Sequence, residues 1–135
     1  MVKMLTKDLT GAALDWAVAK CEGQEVAVND GPLVVIRRNG VVDYFEPSTN
    51  WGWGGPIIER EMIGLSEPLR QSLAFPNQWS GMISTDGISY QFIQYGPTPL
   101  IAAMRCFVAS RFGAEVDVPE EVIAAQVPTA DEGNS

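Results

Sequence analysis

The sequence contains no histidine. A Ser-His-Asp or Cys-His nucleophile therefore has no base, and no metal site can use imidazole. Any enzyme built on this chain works with carboxylates, lysine, tyrosine or backbone groups. Cysteine is almost as scarce. Cys21 and Cys106 are the only two, 85 positions apart, which is not zinc-ligand spacing. Both fall in apolar helical patterns and read as buried, inert thiols. No metal and no cofactor is expected.

Positive charge is also sparse. Nine Lys and Arg face seventeen Asp and Glu, for a net charge of −8. The imbalance is uneven: Met1 to Ala114 holds all nine basic residues and eleven acidic ones, whereas Glu115 to Ser135 holds six acidic residues and no basic one. Phosphate binding needs clustered Lys and Arg, and the only adjacent basic pair is Arg37-Arg38, so direct nucleic-acid binding is not expected. An acidic DNA mimic remains an alternative, although most of the excess sits in one tail rather than over a surface. No apolar run approaches the roughly 20 residues of a membrane helix, and residues 1–8 lack the apolar stretch of a signal peptide. The expected location is cytoplasmic, where thiols stay reduced.

What is present fits a globular domain. Of the 135 residues 46% are hydrophobic and 19% charged, outside the disordered range. One domain over 1–128 is expected, followed by a frayed acidic tail over 129–135.

Thr10 to Cys21 reads as a helix capped by Thr10 and ended by Gly23. Leu33–Arg37 and Val41–Phe45 read as strands joined by Asn39-Gly40, a preferred hairpin turn. Glu46–Gly55 reads as a loop, with Pro56 opening a short helix that Gly64 ends. Glu67-Pro68 starts a further turn through Leu73. Trp79–Ser84 and Ile88–Tyr95 form a second hairpin about Thr85-Asp86-Gly87. Thr98 and Pro99 open the main helix through Phe112, closed by Gly113. Pro119–Gln126 is a short last helix. The fold class is α+β: a small antiparallel sheet of two hairpins, three or four strands in all, with the two main helices on one face. Strand order and oligomeric state are not legible.

Three places could carry chemistry. Asn50-Trp51-Gly52-Trp53-Gly54-Gly55-Pro56 combines flat stacking rings with a backbone free for close approach. A helix starting at Pro56 would offer its N-terminus to an anion, with Glu59 and Arg60 following. The competing reading is that Trp51 and Trp53 plug the core beneath a tight loop. Gly96-Pro97-Thr98-Pro99 offers a second helix start, with Arg105 two turns along; its plainer reading is a capped core helix. Asp15, beside Trp16, is the third, expected to pair with Arg60 or Arg105. Candidate ligand- or partner-binding residues are thus Asp15, Trp16, Trp51, Gly54, Gly55, Pro56, Glu59, Arg60, Thr98 and Arg105. No residue is assigned a catalytic role.

Leu9-Thr-Gly-Ala-Ala-Leu-Asp-Trp-Ala-Val-Ala-Lys20, Gly54-Gly-Pro-Ile-Ile-Glu-Arg-Glu61 and Gly96-Pro-Thr-Pro-Leu-Ile-Ala-Ala-Met-Arg105, in this order, resemble the NinX-like family of small bacteriophage and prophage proteins. The likeness runs from about Leu9 to Pro119 and departs from the commoner pattern around Trp51–Trp53. It implies a phage accessory role in a bacterial host cell and brings over no catalytic residue. The reading preferred on this basis is a non-enzymatic module that binds a host or phage protein. The alternatives are a binder of a flat or anionic small molecule, or a carboxylate-based enzyme, with its site between the Trp-Gly loop, Asp15 and Arg105.

Overall fold

The computed structural model describes residues 1–28, 34–68 and 77–123. In chain order the elements are β1 (Val2–Leu5), a 3-10 turn (Thr6–Asp8), α1 (Gly11–Cys21), β2 (Glu25–Val28), β3 (Val34–Arg38), β4 (Val41–Tyr44), α2 (Trp51–Glu61), β5 (Gly64–Ser66), β6 (Trp79–Ile83), β7 (Phe92–Gly96), α3 (Pro99–Phe112) and β8 (Glu115–Val118). The fold is α+β, with every strand pair antiparallel.

Both expected hairpins are present, but they do not share a sheet. Each has gained a third strand, giving the orders β2-β3-β4 and β5-β6-β7, and β1 pairs with β8 in a separate ribbon. The helices lie between the two three-stranded sheets rather than on one face of a single sheet: α1 contacts β2 and β3, α3 contacts β5, β6 and β7, and the helices contact each other. This explains why both are apolar nearly all round. Ala12 to Ala19 of α1 are all buried, as are Leu100, Ala102–Met104 and Cys106–Ala109 of α3. A helix buried between two layers needs no polar stripe.

Small residues set the closest approach. A Cβ on Gly81 of β6 would stand 2.8 Å from the Ala102 carbonyl oxygen, and one on Gly96 of β7 would stand 2.8 Å from the Ala102 nitrogen. Backbone therefore packs on backbone where α3 crosses this sheet.

Local chemistry accounts for most boundaries. Asn39 and Gly40 both adopt positive φ, 50° and 79°, the two-residue hairpin geometry. Thr98 Oγ1 accepts the Ile101 N–H and caps α3, and Gly113 stops it with φ 86°. Thr10 holds the N-cap position of α1, but its side chain makes no capping bond.

Other boundaries differ from expectation. α2 starts at Trp51, not Pro56, because the Asn50 side chain accepts the Gly52 N–H at 2.8 Å and begins the helix five residues earlier. α2 ends at Glu61, where Met62 turns left-handed, and Gly64 lies in β5. β7 starts at Phe92 rather than Ile88. Asp86 Oδ1 accepts the N–H groups of Ile88 and Ser89 (2.8 and 3.0 Å) and holds those residues in the loop. These bonds draw its carboxyl down to about 2. Of the last expected helix, residues 120–123 are helical; 124–126, the 69–73 part of the turn after Pro68, Leu33 and the 129–135 tail lie outside the described residues.

Candidate functional site

The ten candidate residues fall in several places. Asp15 is 6% exposed. Its Oδ1 accepts the Ser48 backbone N–H at 2.8 Å. Neither Arg60 nor Arg105 pairs with it: both guanidinium groups are held elsewhere, and the loop before α2 reaches Asp15 first. Burial pushes the carboxyl up to about 7, more than the Ser48 N–H pulls it down, and Glu46 adds a smaller push. Ser48 Oγ is itself sealed from solvent, with no group in hydrogen-bonding geometry among the described residues. Trp16, next along α1, is buried with Lys20 over its ring at 5.8 Å.

Arg105 is half-buried on α3. Its Nε donates to the Leu9 carbonyl and its Nη1 to the Tyr95 carbonyl, both at 2.7 Å. It thus ties α3 to the segment before α1 and to the end of β7. It lines a depression of about 360 Å³ with Lys7, Asp8, Gln78 and Ile93. Replacing Arg105 with Met keeps much of the stem and removes both hydrogen bonds. The variant should lose about 2 kcal/mol, read as a lowered urea midpoint with an unchanged slope.

The Trp-Gly segment splits its residues between two further depressions. Trp51, 53% exposed, lines one of about 250 Å³ with Ser48, Thr49, Thr98 and Leu100. The Thr98 hydroxyl there is already engaged in capping. Trp53 lines another, of about 350 Å³, with Arg38, Phe45, Gly52, Pro56 and Arg60. Trp53 meets Phe45 edge-on at 5.1 Å and carries the Arg38 guanidinium 5.6 Å from its ring centre. The core-plug reading therefore holds for Trp53 in part and not for Trp51. Gly54 serves packing: a Cβ would lie 2.6 Å from Leu100 Cδ2 and 2.7 Å from the Pro47 carbonyl oxygen. A Cβ on Gly55 would meet nothing within 4 Å. Pro56 is inside α2, so it offers no helix start to an anion.

Arg60 belongs to a surface network. Its Nη1 and Nη2 grip the Glu22 carboxylate (3.0 and 2.5 Å), its Nε donates to Glu61, and Arg111 holds the other Glu61 oxygen at 2.8 Å. Burial works against the Glu61 charge, but the two arginines outweigh it and hold its carboxyl below the usual range. The network joins the C-terminal ends of α1, α2 and α3. Glu59 stands exposed on α2, and neither it nor Asp15 lines any of these three depressions. Cys106 is buried, but Cys21 is only half-buried because it ends α1; burial pushes both thiols up to about 12. Among the described residues no cluster of three metal-ligating side chains occurs, and no helix is long and apolar enough to cross a membrane.

A further unpartnered feature lies elsewhere, on β4. All four of its residues are exposed, with Val41 at 58%, Val42 at 55% and Tyr44 at 53%. β4 is an edge strand, with β3 as its only neighbour among the described residues. The Phe45 N–H donates to the Val34 carbonyl, and Val35 faces Tyr44 while Arg37 faces Val42. The alternation of an antiparallel ladder then gives the bonded positions to Val41, Asp43 and Phe45, and turns N–H and C=O of Val42 and Tyr44 outward. Val42 and Tyr44 also share the outer face with Val35, Arg37, Ala27 and Glu25, opposite the face that buries Val34 and Ile36. Sequence reasoning placed this strand but not its role. The signal was available: Arg37 marks the solvent face, and the Asn39-Gly40 turn fixes Val42 across from it.

The family model described as "Bacteriophage P22, NinX" matches residues 6–111. The match contains all three motifs that carried the resemblance; it starts at Thr6 rather than Leu9 and ends within α3 rather than at Pro119. No curated protein matches the chain.

Proposed function

Because the chain belongs to the phage P22 NinX family, we propose that it is a phage accessory protein that works in the host cytoplasm by binding another protein, host or phage, through the edge and outer face of β4. The open edge carries this reading: a four-residue strand with its outward N–H and C=O groups unpaired among the described residues and three large apolar side chains exposed. Such an edge is a template for another chain, and folded proteins ordinarily blunt it. Strand addition uses the backbone groups for affinity and the alternating side chains for selection. A small-molecule site is favoured less, because Trp51, Arg60 and Arg105 line three separate depressions.

The geometry supplies its own test. Proline at position 42 removes an N–H that already faces outward and leaves the Arg38–Val41 and Ile36–Asp43 pairs in place. Tagged parent and Val42→Pro proteins are used to capture partners from phage-infected and uninfected lysates. A stoichiometric partner should be recovered with the parent and reduced at least about tenfold with Val42→Pro, while the unfolding midpoint moves little. Equal capture by a folded Val42→Pro protein would remove β4 from the interface.

A further inference from the structure

Resting on the reading of β4 as a docking strand, we infer that its occupant is an extended segment with a lysine or arginine between two apolar residues. Asp43 sits at the centre of the open edge. It is exposed, and its carboxylate takes part in no ion pair or side-chain hydrogen bond among the described residues. An added strand that bonds to Val42 and Tyr44 places one of its residues directly across from Asp43, in the close, non-hydrogen-bonded type of pair. The residues on either side then lie across from Val42 and Tyr44 on the outer face, where apolar partners gain most.

Charge decides the central position. A basic residue there meets an unpaired carboxylate on a chain of net charge −8, whereas an acidic one meets a like charge. The two arginines of β3 do not reverse this. They stand one strand further away, about 10 Å from the added strand, with Arg37 across from Glu25 and Arg38 over Trp53. A second copy of the chain fits poorly for the same reason. Antiparallel self-pairing that uses both Val42 and Tyr44 sets Val42 against Tyr44 and the two Asp43 side chains against each other. Like charges directly opposite are destabilising, so Asp43 also guards the edge against self-association.

The test uses the full chain and two synthetic extended peptides, identical except for a central Val-Lys-Val or Val-Glu-Val. Binding is followed through the amide resonances of Val42 and Tyr44. The lysine peptide should bind about fivefold or more tightly than the glutamate peptide, and Asp43→Lys should reverse the order. Equal binding of the two peptides, binding by neither, or a preference that survives Asp43→Lys would overturn the assignment of the occupant. The broader reading fails separately, when Val42→Pro leaves partner capture unchanged.

Discussion

Gly81→Val should destabilise the protein by about 3 kcal/mol or more, seen as a fall in the urea midpoint. A Cβ on Gly81 would lie 2.8 Å from the Ala102 carbonyl oxygen, 3.0 Å from its carbon and 3.1 Å from Ala103 Cα. All three are backbone atoms of a helix, so no side-chain rotation relieves the clash. β6 is the central strand of its sheet and cannot withdraw without carrying β5 and β7. The cost falls on the packing between α3 and this sheet, the layer that holds Met104 and Phe107 at 0% exposure. Gly55→Ala is the matching control. It lies within α2, where a Cβ would meet nothing within 4 Å, and should stabilise by about 0.5–1 kcal/mol through backbone entropy and helix propensity. Equal responses at the two glycines would contradict the backbone contact.

Asp15 should make stability fall as pH rises from about 4 to 7. Burial raises its carboxyl from 3.8 to about 7, so in this window the folded chain keeps a proton that the unfolded chain releases. The contribution is full below pH 3.8 and is lost as the pH passes through 7. A rise of this size corresponds to on the order of 4 kcal/mol. Asp15→Asn retains an oxygen to accept the Ser48 N–H and adds an N–H donor beside the unpartnered Ser48 hydroxyl. Relative to the parent, the variant should therefore gain stability progressively from pH 4 to pH 8, by up to about 4 kcal/mol. Urea unfolding of both proteins at pH 4, 6 and 8 measures this. Parallel curves would mean that Asp15 does not titrate in the fold.

Local signals in the sequence predicted local structure well. Asn39-Gly40 gave the first hairpin, and Thr98-Pro99 with Gly113 gave both ends of α3. The failures came where one side chain competes for backbone groups. Asn50 starts α2 ahead of three glycines and a proline that by propensity argue for a loop, and Asp86 holds 88 and 89 out of β7. The pairing of β1 with β8 and the division into two sheets rest on contacts distant in sequence, which periodicity does not encode. The candidate site shows the same limit. Unusual composition drew attention to Trp51–Pro56, whereas exposure and an open edge mark β4, and those follow from which strand ends a sheet. Arg105 was singled out as a ligand- or partner-binding candidate, and the structure shows it with a structural task. That task is to bind two carbonyls rather than a ligand in a shared pocket with Asp15.

The central claim is that β4 receives another chain. The most direct measurement is amide hydrogen exchange, residue by residue, on the protein alone and in complex with its captured partner. The account predicts that the outward N–H groups of Val42 and Tyr44 exchange fast in the free protein and become strongly protected in the complex, while Val41 and Asp43, already bonded to β3, change less. Unchanged exchange at Val42 and Tyr44, with protection arising at another surface, would contradict it.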